Sequence, residues 1–320
     1  MKVGVTVGGH VGVSHPGRRR RQNEDAYVVQ PPLFAVADGM GGAKAGEVAS
    51  GLAAAAVQES ANVDASGEAR VTSLIEEANR RVFRRATEDR EASGMGTTMT
   101  VALVEDDKVA FGHVGDSRAY LIRDGQLEQL TDDHSLVAEL VRSGKLTPEE
   151  AETHPQRSVI TRALGTEADV DVDTFSVAAA PGDLFLLCSD GLTSMVDDRT
   201  ILDAVERHRQ DLTAAAKALI TAANRGGGED NITVIFFELD GSGEPSEVTE
   251  ETVRRAAIAD EETMDETHGQ PVIAVVEPDD EPEPEPEPEP ARRGRTLPIF
   301  GALAALLITA AAILWLLGQS

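Results

Sequence analysis

Five acidic motifs stand where apolar runs meet loops and glycine-rich breaks. Asp38 closes the run Phe34-Ala35-Val36-Ala37 and is followed by Gly39-Met40-Gly41-Gly42. Asp190 repeats that grammar, coming after Leu184-Phe185-Leu186-Leu187-Cys188-Ser189 and before Gly191. Glu24-Asp25 precedes the strand-like Ala26-Tyr27-Val28-Val29, Asp116 lies in Gly115-Asp116-Ser117-Arg118, and Asp230 lies in Gly228-Glu229-Asp230-Asn231. Short apolar runs of this kind read as buried strands, and the glycines let the backbone turn sharply and let other groups approach. Each acid is therefore predicted at a strand end, where a carboxylate can leave the core and meet a ligand. Taken singly, each also reads as an ordinary turn acid. Taken together, with almost no His or Cys nearby, they suit hard, oxygen-seeking cations such as Mg2+ or Mn2+. Such closely placed carboxylates would repel one another without metal, so the metal-free site is expected to be strained. A calcium-buffering module fits less well, because the acids are scattered rather than gathered in one 12-residue loop.

The elements that must carry these acids come in blocks. Strands are predicted at Val3–Val7, Ala26–Val29 and Leu33–Ala37, followed by an Ala-rich helix from Gly46 to Ser60. A second helix is predicted from about Glu68 to Arg90, with Val71, Leu74, Ile75, Ala78, Val82 and Phe83 on one face. The period then changes to strands at Thr97–Val104, Lys108–Val114, Arg118–Ile122 and Gln126–Leu130. Asp106-Asp107 and Asp124-Gly125 mark the tight turns among them. Residues 132–165 are polar and helical in parts, and Thr147-Pro148-Glu149-Glu150 has the form of a capped helix start. Strands return at Val170–Val177 and Asp183–Cys188, helices at about Asp198–His208 and Leu212–Asn224, and a closing strand at Ile232–Leu239. Blocks of strands and helices, rather than strict alternation, point to an α+β domain over residues 1–240 with largely antiparallel sheets.

Charge and hydropathy divide the rest of the chain. The formal net charge of the 320 residues is -27, which argues against nucleic acid as the main partner. The excess is uneven: residues 241–290 hold 17 acidic side chains against 2 basic ones. Residues 241–296 are read as an acidic, disordered linker ending in the Glu-Pro repeat from Glu281 to Pro290. The single Cys188 excludes a disulfide framework and a Cys-based zinc site. No apolar leader follows Met1. Residues 297–318 are almost wholly apolar and free of charge, long enough to cross a bilayer as one helix. Arg292, Arg293 and Arg295 lie just before them, which places the N-terminal side in the cytoplasm. The protein is thus expected at the cell membrane as a single-pass protein with a cytoplasmic catalytic domain.

The motifs Arg20-x-x-x-Glu24-Asp25, Ala37-Asp38-Gly39-Met40-Gly41-Gly42, Gly96-Thr97-Thr98, Gly115-Asp116-Ser117-Arg118, Ser189-Asp190-Gly191-Leu192 and Asp230-Asn231 occur in an order and spacing that resembles the metal-dependent Ser/Thr protein phosphatases, type 2C (PPM). The resemblance covers residues 1–240 and looks most like the bacterial, membrane-anchored branch that opposes receptor-type Ser/Thr kinases. It implies a four-layer α-β-β-α sandwich of two mostly antiparallel sheets flanked by helices. It implies two Mn2+ or Mg2+ ions, with Asp38 bridging them, the Gly39 carbonyl supporting one, and Asp190 and Asp230 holding the other. Glu24 would contribute directly or through water, and Asp116 with Asp190 would form a third, weaker site. Arg20 would hold the substrate phosphate, and a water activated between the two metals would attack phosphorus in line. Substrates would be phosphorylated proteins, including receptor-type kinases. A catalytically inactive scaffold of the same fold, binding phosphoproteins without hydrolysis, is the alternative; the intact acids Asp38, Asp190 and Asp230 argue against it.

The resemblance departs at Met40, where some members carry a His proposed to protonate the leaving group. His113 and His134 are weak candidates for that task, and His113 reads more simply as a strand residue. Ser135 and Arg157, in the segment matching the family's variable flap, are candidate substrate contacts. Of the four arginines Arg18–Arg21, only Arg20 is assigned a role; a nucleic-acid patch is disfavoured by the overall charge, and the others are expected to attract phosphopeptides at short range.

Overall fold

The computed structural model describes residues 4–41, 45–60 and 65–241. The expected linker and the expected membrane helix at 297–318 lie outside the described residues. Among the described residues, no helix is long and apolar enough to cross a membrane.

One sheet contains β1 (Val5–His15), β7 (Arg118–Arg123), β8 (Gln126–Gln129), β10 (Leu184–Cys188) and β11 (Ile232–Gly241), in the order β1-β11-β10-β7-β8. The other contains β2 (Asp25–Gln30), β3 (Leu33–Met40), β5 (Met99–Glu105), β6 (Lys108–Val114) and β9 (Asp173–Ala178) in the order β2-β3-β5-β6-β9, with the two-residue β4 (Gly96–Thr97) pairing the far end of β3. Every pairing described is antiparallel. Helices α1 (Ala45–Glu59) and α2 (Gly67–Glu88) cover the second sheet. The short α5 (Asp190–Thr193), with α6 (Asp198–Arg207) and α7 (Leu212–Gly226), covers the first. Two small helices, α3 (Leu136–Arg142) and α4 (Pro148–Glu152), lie in the segment between β8 and β9. The expected four-layer α+β sandwich is what the chain forms.

The apolar runs look continuous in sequence because both faces of the central strands are covered. On β3, Leu33, Ala35 and Ala37 pack toward α1 and α2, whereas Phe34 and Val36 pack between the sheets. On β10, Leu184, Leu186 and Cys188 face the helices, and Phe185 and Leu187 face the opposite sheet. The inter-sheet layer holds a chain of rings. Phe34 stacks on Phe237 at 4.2 Å, Phe237 on Phe185 at 5.0 Å, and Phe185 leans on Phe111 at 5.8 Å. Each such pair contributes about 0.5–1.5 kcal/mol beyond the area it buries, so this layer holds the two sheets in fixed register beneath the acids.

Two expectations are adjusted. The opening strand runs to His15 rather than stopping at Val7, with a bulge between Val7 and His10. Phe83, expected on the apolar face of α2, is only half-buried. The turns are as expected: Asp106, Asp124 and Gly125 have positive φ of 49°, 51° and 71°, and Thr147 closes a full capping box with Glu150.

Candidate active site

The acids meet at one end of the sandwich, where the ends of both sheets come together. Asp38 is placed differently from its expected strand-end position. β3 continues through it to Met40, because β4 takes up the pairing with Gly39 and Met40. On the other side, Asp25 of β2 lies directly opposite Asp38. Two like charges facing each other across a ladder destabilise it, so this pair needs a compensating partner.

The backbone of Asp38 is clamped by the two threonines of Gly96-Thr97-Thr98. The Thr97 hydroxyl and the Thr98 N–H donate to the Asp38 carbonyl at 2.8 and 2.9 Å, and the Asp38 N–H donates to Thr98 Oγ1 at 2.9 Å. Thr98 Oγ1 also lies 2.9 Å from Ser117 Oγ, tying the loop that carries Asp116 to β3. Gly115 sits at φ 113°, and a Cβ there would come within 2.5 Å of the Thr98 side chain. That loop can close on Thr98 only with a glycine.

Asp25 bridges the sheets. Its Oδ2 accepts from Ser189 Oγ at 2.8 Å and from Thr233 Oγ1 at 2.6 Å. Ser189 immediately precedes Asp190, so the hydrogen bond that fixes Asp25 also sets where Asp190 leaves β10. Gly39 fits the same close packing. A Cβ on it would lie 2.2 Å from the Gly46 carbonyl at the start of α1 and 2.5 Å from the Glu24 carbonyl. The Gly39 N–H donates to the Glu24 carbonyl at 3.1 Å, and Ser50 Oγ of α1 donates to the same oxygen at 2.6 Å.

Arg20 and Asp230 complete the rim. Arg20 Nη2 lies 2.7 Å from Asp230 Oδ2, and Nη1 lies 4.0 Å from the Glu24 carboxylate. Asn231 organises this corner. Its Nδ2 donates to the carbonyls of Pro16 and Gln22, both at 3.0 Å, and its Oδ1 accepts the Glu24 N–H at 2.8 Å.

The acids perturb one another as their crowding requires. Burial, then repulsion from Asp25, Asp190, Asp116 and Asp230, pushes Asp38 well above the ordinary carboxylate range. Burial raises Asp25 to about 7, against the pull of its Thr233 and Ser189 hydrogen bonds. Asp116 rises to about 8, through burial and then Asp190. Asp190 is raised by burial and Asp230, while a hydrogen bond from Asp38 draws it back. Glu24 is raised chiefly by burial, against Arg20. The Arg20 guanidinium, though burial opposes its charge, is held protonated by Asp230.

The donor set fits divalent cations. One carboxylate oxygen of each of Asp25, Asp116 and Asp190 is buried and has no hydrogen-bond partner. Such orphaned acceptors are costly unless a cation meets them. All the candidate donors are oxygens, the preference of Mg2+ and Mn2+. Among the described residues, no three His, Cys, Asp or Glu groups are already gathered so as to hold one metal ion, and Asp230 is engaged by Arg20.

Asp25 gains a place beside Asp38 that its sequence position next to Glu24 hinted at, without assigning it a role. Neither histidine stands as a proton donor. His113 is buried, with Nδ1 2.9 Å from the Thr100 hydroxyl and Nε2 3.1 Å from the Asp132 carbonyl; burial lowers it to about 4. His134 Nδ1 accepts the Gly115 N–H at 3.0 Å, leaving Nε2 to donate to Asp173 at 3.1 Å. His134 thus braces the Asp116 loop from behind, and His113 ties β5 to the segment that carries Asp132. Ser135 is buried and caps α3, accepting from the Ala138 N–H, so it offers no surface to a substrate. Arg157 is exposed and lies 3.8 Å from Glu229.

The sequence profile of the family described as Protein phosphatase 2C matches residues 11–223. The serine/threonine phosphatase stp of Listeria monocytogenes is 42% identical over 235 residues, spanning 70% of this chain and 93% of that protein. The serine/threonine protein phosphatase PstP of Mycobacterium tuberculosis is 42% identical over 228 residues, which are 71% of this chain and 44% of that longer protein. The crystal structure of the M. tuberculosis PstP phosphatase superposes with a TM-score of 0.69 at 40% identity, covering 74% of this chain and all of that one. A second structure, the PstP catalytic domain in complex with two manganese ions, superposes at 0.67 with 38% identity, covering 74% of this chain and 99% of that one.

Proposed function

This chain belongs to the protein phosphatase 2C family of Ser/Thr protein phosphatases, and we propose that it hydrolyses phosphoserine and phosphothreonine in proteins in a reaction dependent on two divalent cations, Mn2+ or Mg2+. The observation that carries the metal assignment is the facing pair Asp25 and Asp38, with Asp190 close enough to repel Asp38 and one buried, orphaned carboxylate oxygen on each of Asp25, Asp116 and Asp190. Asp38, Gly39, Asp190 and Asp230 would hold the two ions, Glu24 would assist, and Asp116 with Asp190 would take a third, weaker one. When bound, such ions supply a nucleophilic water at neutral pH and charge for the phosphoryl oxygens. Arg20 presents a planar guanidinium at the rim, where it can take two phosphate oxygens at once. Its bond to Asp230 holds it there before substrate arrives, so less ordering is needed on binding. Met40 supplies no imidazole at that position, and the leaving oxygen takes its proton from solvent.

The direct test is hydrolysis of a phosphothreonine peptide with Mn2+, with Mg2+ and with chelator, by the native protein and by Asp38→Asn. Activity that persists in chelator, or in the variant at the native rate, would overturn the two-metal reading, and no hydrolysis with either ion would leave the phosphoprotein-binding scaffold. We place the catalytic domain at 1–240, the acidic linker at 241–296 and a membrane span at 297–318, on the cytoplasmic face. The charge-free apolar stretch and its preceding arginines support this. A flexible linker of about 55 residues reaches roughly 40 Å. That reach would raise the local concentration of the phosphatase toward membrane-bound phosphoproteins such as receptor-type kinases.

A further inference from the structure

Beside Arg20, on the same turn, stand three arginines that the phosphate-binding role does not use. Arg18, Arg19 and Arg21 are exposed, and among the described residues none has an ion-pair partner. Most other arginines of the domain are paired with Asp or Glu, as expected in a strongly acidic chain: Arg80, Arg81, Arg85, Arg118, Arg123 and Arg162 are examples. Leaving three neighbouring guanidinium groups without ion-pair partners beside a site of six acids is therefore a local exception.

The turn is also held in place. The N–H groups of Arg18 and Arg19 both donate to the Gly228 carbonyl, at 2.8 and 3.1 Å. Gly17 has φ 76°, and a Cβ there would lie 2.2 Å from the Asp230 carbonyl. The Asn231 amide fastens both ends of the turn through Pro16 and Gln22. The backbone that carries the arginines is thus fixed against the loop that carries Asp230, and their positions relative to Arg20 are set by the fold. Consecutive Cα atoms lie about 3.8 Å apart, and an extended peptide advances about 3.3 Å per residue. Arginine side chains within two residues of Arg20 can therefore reach substrate positions within about three residues of a phosphate held by Arg20.

Resting on the phosphatase reading above, we propose that the Arg18–Arg21 turn selects phosphoprotein substrates whose phosphorylated residue is flanked by acidic side chains. Arg20 takes the phosphate, and Arg18, Arg19 and Arg21 take flanking Asp or Glu carboxylates. These contacts are exposed, so they act at short range and weaken with salt. Selectivity comes from summing several of them and from the fixed spacing of the turn.

The test compares the native protein with the triple variant Arg18→Gln, Arg19→Gln, Arg21→Gln, which keeps exposed polar side chains and leaves Arg20 in place. Substrates are p-nitrophenyl phosphate and two phosphothreonine peptides, one flanked by Glu and one by Gln, assayed with Mn2+. The native protein should prefer the Glu-flanked peptide about tenfold in kcat/KM at 50 mM salt, mostly through KM. The variant should lose that preference while hydrolysing p-nitrophenyl phosphate at the native rate, and 500 mM salt should reduce the native preference in the same way. A native protein inactive on p-nitrophenyl phosphate would overturn the phosphatase reading and this inference with it. An active protein whose Glu-to-Gln preference is absent, or is unchanged in the variant, would overturn this inference alone. Displacement of the Glu-flanked peptide by an oligonucleotide, but not by polyglutamate of equal charge, would assign the turn to nucleic acid and also overturn it.

Discussion

Replacing Asp38 by Asn should make the metal-free protein more stable while abolishing metal-dependent hydrolysis. The substitution keeps the shape of the side chain and every backbone hydrogen bond that Thr97 and Thr98 make to residue 38. It removes one charge from the facing pair Asp25 and Asp38. The size of the effect follows from the acids themselves. Asp38 is pushed well above the usual carboxylate range by burial first and then by Asp25, so its ionised form costs the metal-free fold as the pH rises. A buried acceptor without a compensating partner costs on the order of 2 kcal/mol, which is the expected gain at pH 8. A folded-state value raised above the unfolded one favours the fold at low pH, and that advantage is lost as pH rises through the folded value. The metal-free native protein should therefore weaken between about pH 4 and pH 8, and the variant should weaken less. For a domain of this size the gap at pH 8 corresponds to roughly 4–8 °C in Tm, narrowing toward pH 5. Thermal melts in chelator at pH 5, 6.5 and 8, with and without added Mn2+, measure it. Added Mn2+ should raise Tm for the native protein and much less for the variant. A variant that melts at or below the native protein in chelator at pH 8 would show that carboxylate crowding is not the cost proposed.

Arg20→Ala should raise KM for a phosphothreonine peptide about tenfold or more with a smaller change in kcat, since it removes a charge-assisted phosphate contact; an unchanged KM in steady-state assays would remove Arg20 from phosphate binding. Asn231→Ala breaks three hydrogen bonds at a buried position, so chemical denaturation should show a loss of about 2–4 kcal/mol, accompanied by a raised KM as the Arg20 turn loosens. For His113, lowered to about 4 by burial, stability is complete above the usual 6.5 and falls as pH drops toward 4, by about 3 kcal/mol over that window; His113→Gln should flatten this decline, and parallel pH–stability curves for the two proteins would contradict it. Removal of residues after 240 should leave peptide hydrolysis unchanged but slow dephosphorylation of a kinase embedded in vesicles, and equal rates on the vesicle substrate would refute tethering.

Much of the fold was legible because the strands and helices announce themselves locally. Leu33–Ala37 and Leu184–Cys188 are continuous apolar runs since both of their faces are covered, and α2 shows its buried stripe through Val71, Leu74, Ile75, Ala78 and Val82. The valine alternation that marks β1 ends at Val7, whereas the strand runs on through Gly8, Gly9 and Gly12 to His15. In the fold, a Cβ at Gly12 would come within 2.6 Å of the Tyr27 ring, and no property of residues 8–12 alone reveals that neighbour. Ser135 was misread for a related reason: a polar residue in a polar segment looks exposed until the α3 cap buries it.

The sequence by itself determined the chemistry available: which acids stand beside strand ends, that their donors are oxygens, that Arg20 precedes Glu24 by four residues, and that Met40 replaces a possible imidazole. Those facts are carried by residue type and local order. Only the tertiary structure decided that Asp38 lies within a strand opposite Asp25, that Ser189 and Thr233 tie Asp25 to the other sheet, and that one amide of Asn231 closes the arginine turn. These are contacts between residues as much as 215 positions apart, set by which strands pair and in what register. Register is fixed by the packing of the whole core, including the stacked rings between the sheets, and short stretches of sequence do not encode it.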